Sequence, residues 1–409
     1  MSDQVKETVK KVFEDLATSL ETGRMESRLK IGLTIDGSEL GMAVMKQAAY
    51  TSKQKNLFDV VLIGSDVDWA KDFKHYSTTD CQKESSELME ELLDSGEIQG
   101  CVTLHYNFPI GVSTVGKVVT PALGREMFIA TTTGTTSGVR NEAMVLNAIN
   151  GIIVAKTCGI KQPTIGILNI EGAKTVERSL TELQEKGYEI NFGESQREDG
   201  GKVLRGNDLL LGSVDVVVCD SLTGNILMKL FSASSSGGNY ETTGSGYGPG
   251  IGRNYDRNIC IISRASGAPV ITNALEYAYE LAKGKLDRVS LTEYRKADEA
   301  GLKQICSELT ATAVPEAKKE IDPPAKEIVT SEIAGIEIME LEDAVKILWE
   351  AEIYAESGMG CTGPIILVNE KNLIAAQNEL KKANSEGTSS VIELVFALLK
   401  QEVFTLKVH

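Results

Sequence analysis

Near the carboxyl end, Gly358-Met359-Gly360-Cys361-Thr362-Gly363-Pro364 sets one thiol among three glycines, immediately before the apolar run Ile365 to Val368. Glycines remove Cβ atoms, so the backbone can turn sharply and a substrate can come close to the sulfur. A thiolate is a good acyl acceptor, and covalent capture divides a group transfer into two easier steps. The same residue types also suit a buried cysteine in a tight helix-to-strand turn, and the local pattern leaves both readings open. A helix ending just before Cys361 would present its negative dipole end, so a thiolate there needs help from another group. Of the three histidines, His409 is terminal and His75 lies in a polar stretch. His105, just after the strand that carries Cys101, is the best-placed general base; a structural histidine at a strand end is the alternative. Cys101 itself is the candidate secondary thiol, for redox or substrate contact.

Two further segments suit an anion. Ser232 to Arg253 is rich in glycine and serine, and Lys229 and Arg253 bracket it with positive charge. Amides and hydroxyls around Ser235, Gly237 and Gly238 could converge on phosphate oxygens. The spacing is neither a Walker A loop nor a G-x-G-x-x-G turn, so a surface lid and a phosphate cradle both remain open. Thr131 to Arg140 combines hydroxyls, glycines and the start of a helix near Asn141, again an anion-friendly setting. Arg140 is its charged member, with a surface salt bridge as the other fate.

The elements that must position these groups alternate along the chain. Runs at Leu29 to Ile35, Phe58 to Ile63, Gln99 to Leu104, Met127 to Thr131, Thr164 to Asn169, Val214 to Cys219, Asn258 to Ser263 and Pro364 to Asn369 are expected to be strands. Most are followed by a helix-length segment, which predicts an α/β fold with a mostly parallel sheet covered on both faces. Ligands then bind beyond the carboxyl ends of strands, and small polar residues follow several of them, including Asp220 to Asn225. Four divisions are expected. Residues 1–28 form an amphipathic helix with Val5, Val9, Val12, Phe13, Leu16 and Leu20 on one face. An α/β body covers 29–310, a Pro-, Lys- and Glu-rich linker covers 311–327, and 328–409 carries the cysteine and completes the fold.

The chain has 409 residues, 42% hydrophobic, and a net charge of -16. That balance argues against nucleic acid and anionic membrane as partners. No stretch reaches the roughly 20 apolar residues of a membrane span, and the first residues lack a signal-peptide core, so a cytoplasmic location is expected. Seven cysteines lie far apart with no C-x-x-C pair, which argues against a disulfide framework and a zinc site; no metal and no cofactor are expected.

The run Asp215 to Lys229, with Asp220-Ser221-Leu222-Thr223-Gly224-Asn225 at its centre, resembles the segment of bacterial phosphate acyltransferases that reads D-G-F-x-G-N-x-x-L-K. Leu29 to Gly37 and Thr164 to Asn169 resemble two of their strands. Over its whole length, Gly358 to Asn369 included, the chain resembles the alpha subunits of component C of glycine, sarcosine and betaine reductases. The resemblance implies an isopropylmalate-dehydrogenase-like three-layer α/β/α sandwich, with a mixed sheet and two lobes around a cleft. It implies that Cys361 carries an acetyl group, with Asn225, Lys229 and Arg140 near inorganic phosphate, the other substrate. It also implies a beta subunit and the selenoprotein component A as partners in a hetero-oligomer. The selenoprotein would deliver a carboxymethyl group as a selenoether, leaving selenium oxidised as an acetyl thioester forms. The chain departs from the acyltransferases at Ser221, where they usually have Gly, and in the glycine-serine insertion after Phe231. A stand-alone phosphotransacylase using a carrier or coenzyme A thioester, and a docking subunit for a catalytic partner, are the alternative readings.

Overall fold

The structure is a computed structural model that describes residues 28–79, 82–196, 200–313, 322–334, 336, 341–360 and 363–385. The expected amphipathic helix at 1–28, most of the linker and Cys361 itself lie outside the described residues.

Twelve strands form one mixed sheet. The first five are β1 (Lys30–Thr34), β2 (Asp59–Gly64), β3 (Lys74–Ser77), β4 (Gly100–Thr103) and β5 (Val112–Val119). Then come β6 (Glu126–Thr135), β7 (Thr164–Leu168), β8 (Asn191–Phe192), β9 (Val203–Leu204), β10 (Val216–Val218), β11 (Gly248–Gly252) and β12 (Ile259–Ile261). Their order is β3-β2-β1-β4-β12-β11-β5-β6-β10-β7-β8, with β9 also on β7. The strands from β3 to β12 run parallel, and so do those from β6 to β8. Three antiparallel pairings in the middle, β12 with β11, β11 with β5 and β5 with β6, reverse the direction between these halves. Each lobe is therefore a parallel α/β unit, and the carboxyl ends of the two sets of strands point to opposite edges.

Helices cover the faces unequally. The thick side holds α1 (Met42–Lys55) and, beyond α2 (Gln82–Asp94) on the other face, α3 (Arg140–Thr157) and α4 (Ala173–Glu185). Past α5 (Gly206–Leu211) and α6 (Ser221–Ala233), it also holds α7 (Ala268–Lys283), α8 (Leu286–Glu299) and α9 (Leu302–Ala313). The middle of α3, Ala148 to Ala155, is buried throughout, because it lies between β6 and β10 on one side and α4 and α8 on the other. A helix covered all round has no need of a polar face. The thin side has α2 over one lobe and only α5 and α6 over the other.

All eight expected strands are present, with ends shifted by a few residues, as strand ends commonly are. The largest difference is the glycine-rich segment. Its second half is β11, a central strand rather than a lid, and its glycines are there for packing. A Cβ on Gly248 would lie 1.8 Å from the Val115 carbonyl oxygen, and one on Gly250 would lie 2.2 Å from the Phe108 ring.

After the body, β13 (Ser331–Ala334), α10 (Leu341–Glu350), β14 (Ala355–Gly360), β15 (Gly363–Val368) and α11 (Leu373–Ser385) make a separate unit. Its three strands pair antiparallel in the order β13-β15-β14 over a core of Ile333, Leu341, Leu348, Ile366 and Leu380. Its strands bond to each other and not to the main sheet. The element before Cys361 is likewise a strand, since α10 ends at Glu350. The unfavourable helix dipole anticipated there does not arise.

Candidate functional site

Helix α6 carries two of the groups that the sequence singled out, Asn225 and Lys229, and its cap holds a third, Arg140. Asp220 caps it by accepting a hydrogen bond from the Thr223 amide at 2.9 Å. The second oxygen of Asp220 accepts from Arg140 at 2.8 Å, so the capping carboxylate also anchors the guanidinium. Arg140 reaches Glu171 as well, at 3.3 Å, and its Nε is buried without a partner. One turn into α6, Gly224 lets the helix sit against the middle of β6: a Cβ there would be 1.7 Å from the Thr131 carbonyl oxygen. That approach allows Asn225 to donate its side-chain amide to the Thr132 carbonyl at 3.2 Å.

A further turn on, Lys229 donates to Glu241 at 2.7 Å and to the Ser263 hydroxyl at 2.8 Å. Its ammonium also lies 5.6 Å from the centre of the Tyr247 ring. Glu241 is 1% exposed and accepts in addition from the Ser266 hydroxyl at 2.8 Å and the Tyr247 hydroxyl at 3.4 Å. A buried carboxylate needs such donors to stay charged. Helix α6 thus begins beside the carboxyl end of β10, crosses the middle of β6 and reaches the carboxyl end of β12.

Beside Ser263 stands Arg264, which the sequence reading passed over. It is half-buried, with an Nε that is out of contact with water and has no hydrogen-bond partner. Its backbone carbonyl accepts from Glu39 in the loop after β1. His105 is close enough to feel it. Burial holds the imidazole below its usual value of 6.5, the Arg264 charge lowers it further, and Glu332 of β13 pulls the other way. His105 is therefore a neutral ring near neutral pH, as a proton acceptor must be. The signal for Arg264 was available: Ser263-Arg264-Ala265-Ser266-Gly267 directly follows a strand that the sequence reading recognised.

Several sequence candidates do not join this group. Arg253 forms a two-pronged pair with Asp298 of α8, one bond being 2.8 Å, and lies 4.9 Å from the centre of the Tyr294 ring. It is on the thick side of the sheet, away from α6, and lines a cleft of about 500 Å³ with Glu142, Lys303 and Cys306. Ser235, Gly237 and Gly238 belong to an exposed turn after α6, not to a phosphate cradle. The two glycines adopt φ of 68° and 87° with open space around them, so they serve to reverse the chain. Cys101 is fully buried, and burial pushes its thiol up. A Cβ on Gly32 would lie 2.8 Å from its sulfur, so it is a packed core residue and not an accessible second thiol. For Cys361, the described neighbours are Gly360 and Gly363, which face each other as the last pair of the β14–β15 hairpin.

Among the described residues, no group of three or more His, Cys, Asp or Glu could hold a metal ion, and no helix is long and apolar enough to cross a membrane.

Polar and cationic side chains thus lie along one helix at the junction of the two lobes of this α/β body. The chain belongs to the fatty acid synthesis protein family, whose sequence profile matches residues 29–367. Within that frame it is 52% identical over 385 residues to the glycine/sarcosine/betaine reductase complex component C subunit alpha of Peptoclostridium acidaminophilum, covering 94% of this chain and 99% of that one. A phosphate acyltransferase of Fervidobacterium nodosum is 30% identical over 148 residues, 36% of this chain and 43% of its own. Both resemblances read from Asp215 to Lys229 and from Gly358 to Asn369 are borne out. Among solved structures, a branched-chain phosphotransacylase from Enterococcus faecalis aligns with a TM-score of 0.44 at 15% identity, covering 62% of this chain and 99% of that one.

Proposed function

We propose that this chain forms acetyl phosphate, as an alpha-type subunit of a reductase complex, from an acetyl thioester on Cys361 and inorganic phosphate. The observation that carries the phosphate half is the bond from Lys229 to Ser263 at the carboxyl end of β12, with the unpartnered Nε of Arg264 on the next residue. A half-buried guanidinium with an unused donor, carried by the residue after the serine whose hydroxyl meets the Lys229 ammonium, is suited to oxyanion binding. Asn225 lies one helical turn from Lys229, about 6 Å along the axis. In this reading a phosphate oxygen attacks the thioester carbonyl carbon, the carbon–sulfur bond breaks, and the sulfur leaves as thiolate. His105, uncharged near neutrality, takes the proton that phosphate gives up.

The relative of similar length supports the rest of the proposal, since it is named as one subunit of a multi-component complex. The acetyl group would come from a selenoprotein partner whose carboxymethyl selenoether is converted to the thioester, leaving selenium oxidised. A beta subunit would complete the component.

Exposure of the intact chain to acetyl phosphate, followed by mass spectrometry and peptide mapping, tests this directly. An acetyl adduct on the Cys361 peptide, absent from Cys361→Ala, is the expected outcome. An unmodified Cys361 with normal acetyl phosphate arsenolysis would instead mean direct transfer from a soluble thioester.

A further inference from the structure

The unit that carries the Cys361 hairpin meets both lobes of the body. In the loop from β6 to α3, a Cβ on Gly138 would lie 3.4 Å from the Glu342 carboxylate of α10. On the other lobe, Glu332 of β13 acts on His105, which follows β4. Side chains alternate across a strand, and Ile333 points into the unit's own core, so Glu332 lies on the opposite face. The strand register puts it in one row with Leu367 of β15 and Glu356 of β14. Ile365 shares that face and is 1% exposed, so the face is covered there by the rest of the chain.

The two carboxylates of that row differ. Glu356 is engaged: it accepts from the Tyr354 hydroxyl at 2.6 Å and lies 3.7 Å from the Lys326 ammonium. Glu332 is exposed and forms no hydrogen bond or ion pair with another described residue. A charge on an outer strand can serve to discourage pairing with other sheets, but that task does not require an imidazole within its reach. His105 has use for such a neighbour. Burial and the Arg264 charge both weaken its hold on a proton, and among the described residues Glu332 is the group that strengthens it. A general base works best when its proton affinity suits the operating pH, so one held too low is a poor acceptor.

We propose that Glu332 is a positioning residue for the proton acceptor: when the Cys361 unit is seated across the lobes, its carboxylate comes to His105 and readies the base as the thioester carrier arrives. This rests on the reading of His105 as the group that takes the phosphate proton. The coupling is reciprocal. The imidazolium formed in the transfer attracts Glu332 more strongly than the neutral ring does, so the unit is held in place until the proton leaves for solvent. Arg264, in the segment after β12, acts in the opposite sense on the same ring.

The chain has three histidines, so NMR titration of the full-length protein can follow His105 by itself, with the signal assigned from His105→Gln. In Glu332→Gln the His105 midpoint should move to lower pH, and Glu332→Asp should keep it near the wild-type position. Glu356→Gln, in the same row two strands away, should leave it unmoved. In acetyl phosphate arsenolysis the acid limb of Glu332→Gln should shift in the same direction as the titration. Its plateau kcat should fall about threefold, because a weaker base accepts the proton less readily, with the KM for phosphate unchanged. A His105 midpoint that is the same in Glu332→Gln and wild type overturns the proposal. So does an equal shift in Glu356→Gln, which would make the effect one of overall charge. A midpoint that moves while the rate profile stays put keeps Glu332 beside His105 and refutes instead the reading of His105 as the base.

Discussion

Replacing Gly224 by Ala tests whether the close approach of α6 to β6 positions the candidate site. The added Cβ would sit 1.7 Å from the Thr131 carbonyl oxygen, whereas real Cβ contacts essentially never fall below 3.0 Å, so helix and strand must separate by at least 1.3 Å. The Thr131 carbon at 2.8 Å and the Cys219 sulfur at 3.1 Å close off a sideways escape. A 1.3 Å retreat stretches the 3.2 Å bond from Asn225 to Thr132 beyond hydrogen-bonding range. Overpacking costs about 1–3 kcal/mol and the lost bond about 1 kcal/mol, while alanine's better helix propensity returns about 1 kcal/mol. The net is a destabilisation of about 1–3 kcal/mol. A displacement near 1 Å of a positioning group also costs about 100-fold in rate where geometry matters.

Two readouts follow for Gly224→Ala: a lowered thermal midpoint, and kcat/KM for acetyl phosphate arsenolysis down by about two orders of magnitude. Gly206→Ala serves as the control, because Gly206 opens α5 without a positive φ and a Cβ there meets nothing within 4 Å. It should match the wild type in both. If Gly224→Ala melts and turns over like the wild type, the contact between α6 and β6 does not organise this site, and the roles given to Asn225 and Lys229 lose their support.

Arg264→Lys should raise the KM for phosphate about tenfold or more, because a point charge cannot replace the guanidinium fork, whereas Arg253→Lys should leave that KM unchanged and cost about 1 kcal/mol or less through its partly exposed pair with Asp298. Lys229→Met should also weaken phosphate binding and in addition lower stability, since it leaves Glu241 buried with hydroxyl donors only; Lys229→Met combined with Glu241→Gln should recover stability without recovering turnover. His105 titrates below 6.5, so the acid limb of the rate profile should fall below that value; by the same sign the unfolded chain takes up the proton first, and stability present above pH 6.5 is lost as pH drops towards the folded value. His105→Gln should flatten that loss in urea titrations run from pH 7.5 to 5. Cys101→Ala should retain acetyl-enzyme formation, and native alkylation near pH 8 should leave Cys101, Cys219 and Cys260 unmodified, because burial pushes all three thiols up; peptide mapping checks both.

What the sequence made legible follows from which signals are local. Strands such as Val216–Val218 and Thr164–Leu168 are apolar runs bounded by turn residues, so burial on both faces wrote them into the chain. Asp220 to Asn225 was legible too, because a capping Asp and a close-approach Gly are fixed by two neighbouring elements. Gly248–Gly252 was not, since Gly-Pro-Gly-Ile-Gly has the composition of a loop and becomes a central strand through contacts with Val115, Phe108 and Gly111 far away in sequence. Arg253 looked like a phosphate ligand only because it bordered those glycines. Once β11 lies in the sheet, alternation sends its neighbour to the opposite face, towards Asp298. The Gly358 to Gly360 glycines misled in a milder way, suggesting a turn where β14 continues to its pairing with Gly363.

The pairing of Lys229 with a buried Glu241 bears on how such a site turns over. Three unopposed cations would hold a phosphate dianion tightly and hold an acyl phosphate product nearly as well. Uniform binding of that kind lowers KM without raising kcat. Lys229 and Glu241 cancel and His105 is neutral, which leaves Arg264 as the remaining positive charge of the group, with the Glu332 carboxylate of β13 acting on the same imidazole. That is enough to orient an incoming oxyanion and too little to trap the product. Glu241 is held in place by Ser266 and Tyr247 as well as by Lys229, so the balance is built into the packing rather than left to solvent. On this argument Glu241→Gln, which frees the Lys229 charge while preserving shape, should lower the KM for phosphate and lower kcat with it, product release becoming the slow step. An unchanged kcat with a lower KM would show that the carboxylate has no part in release.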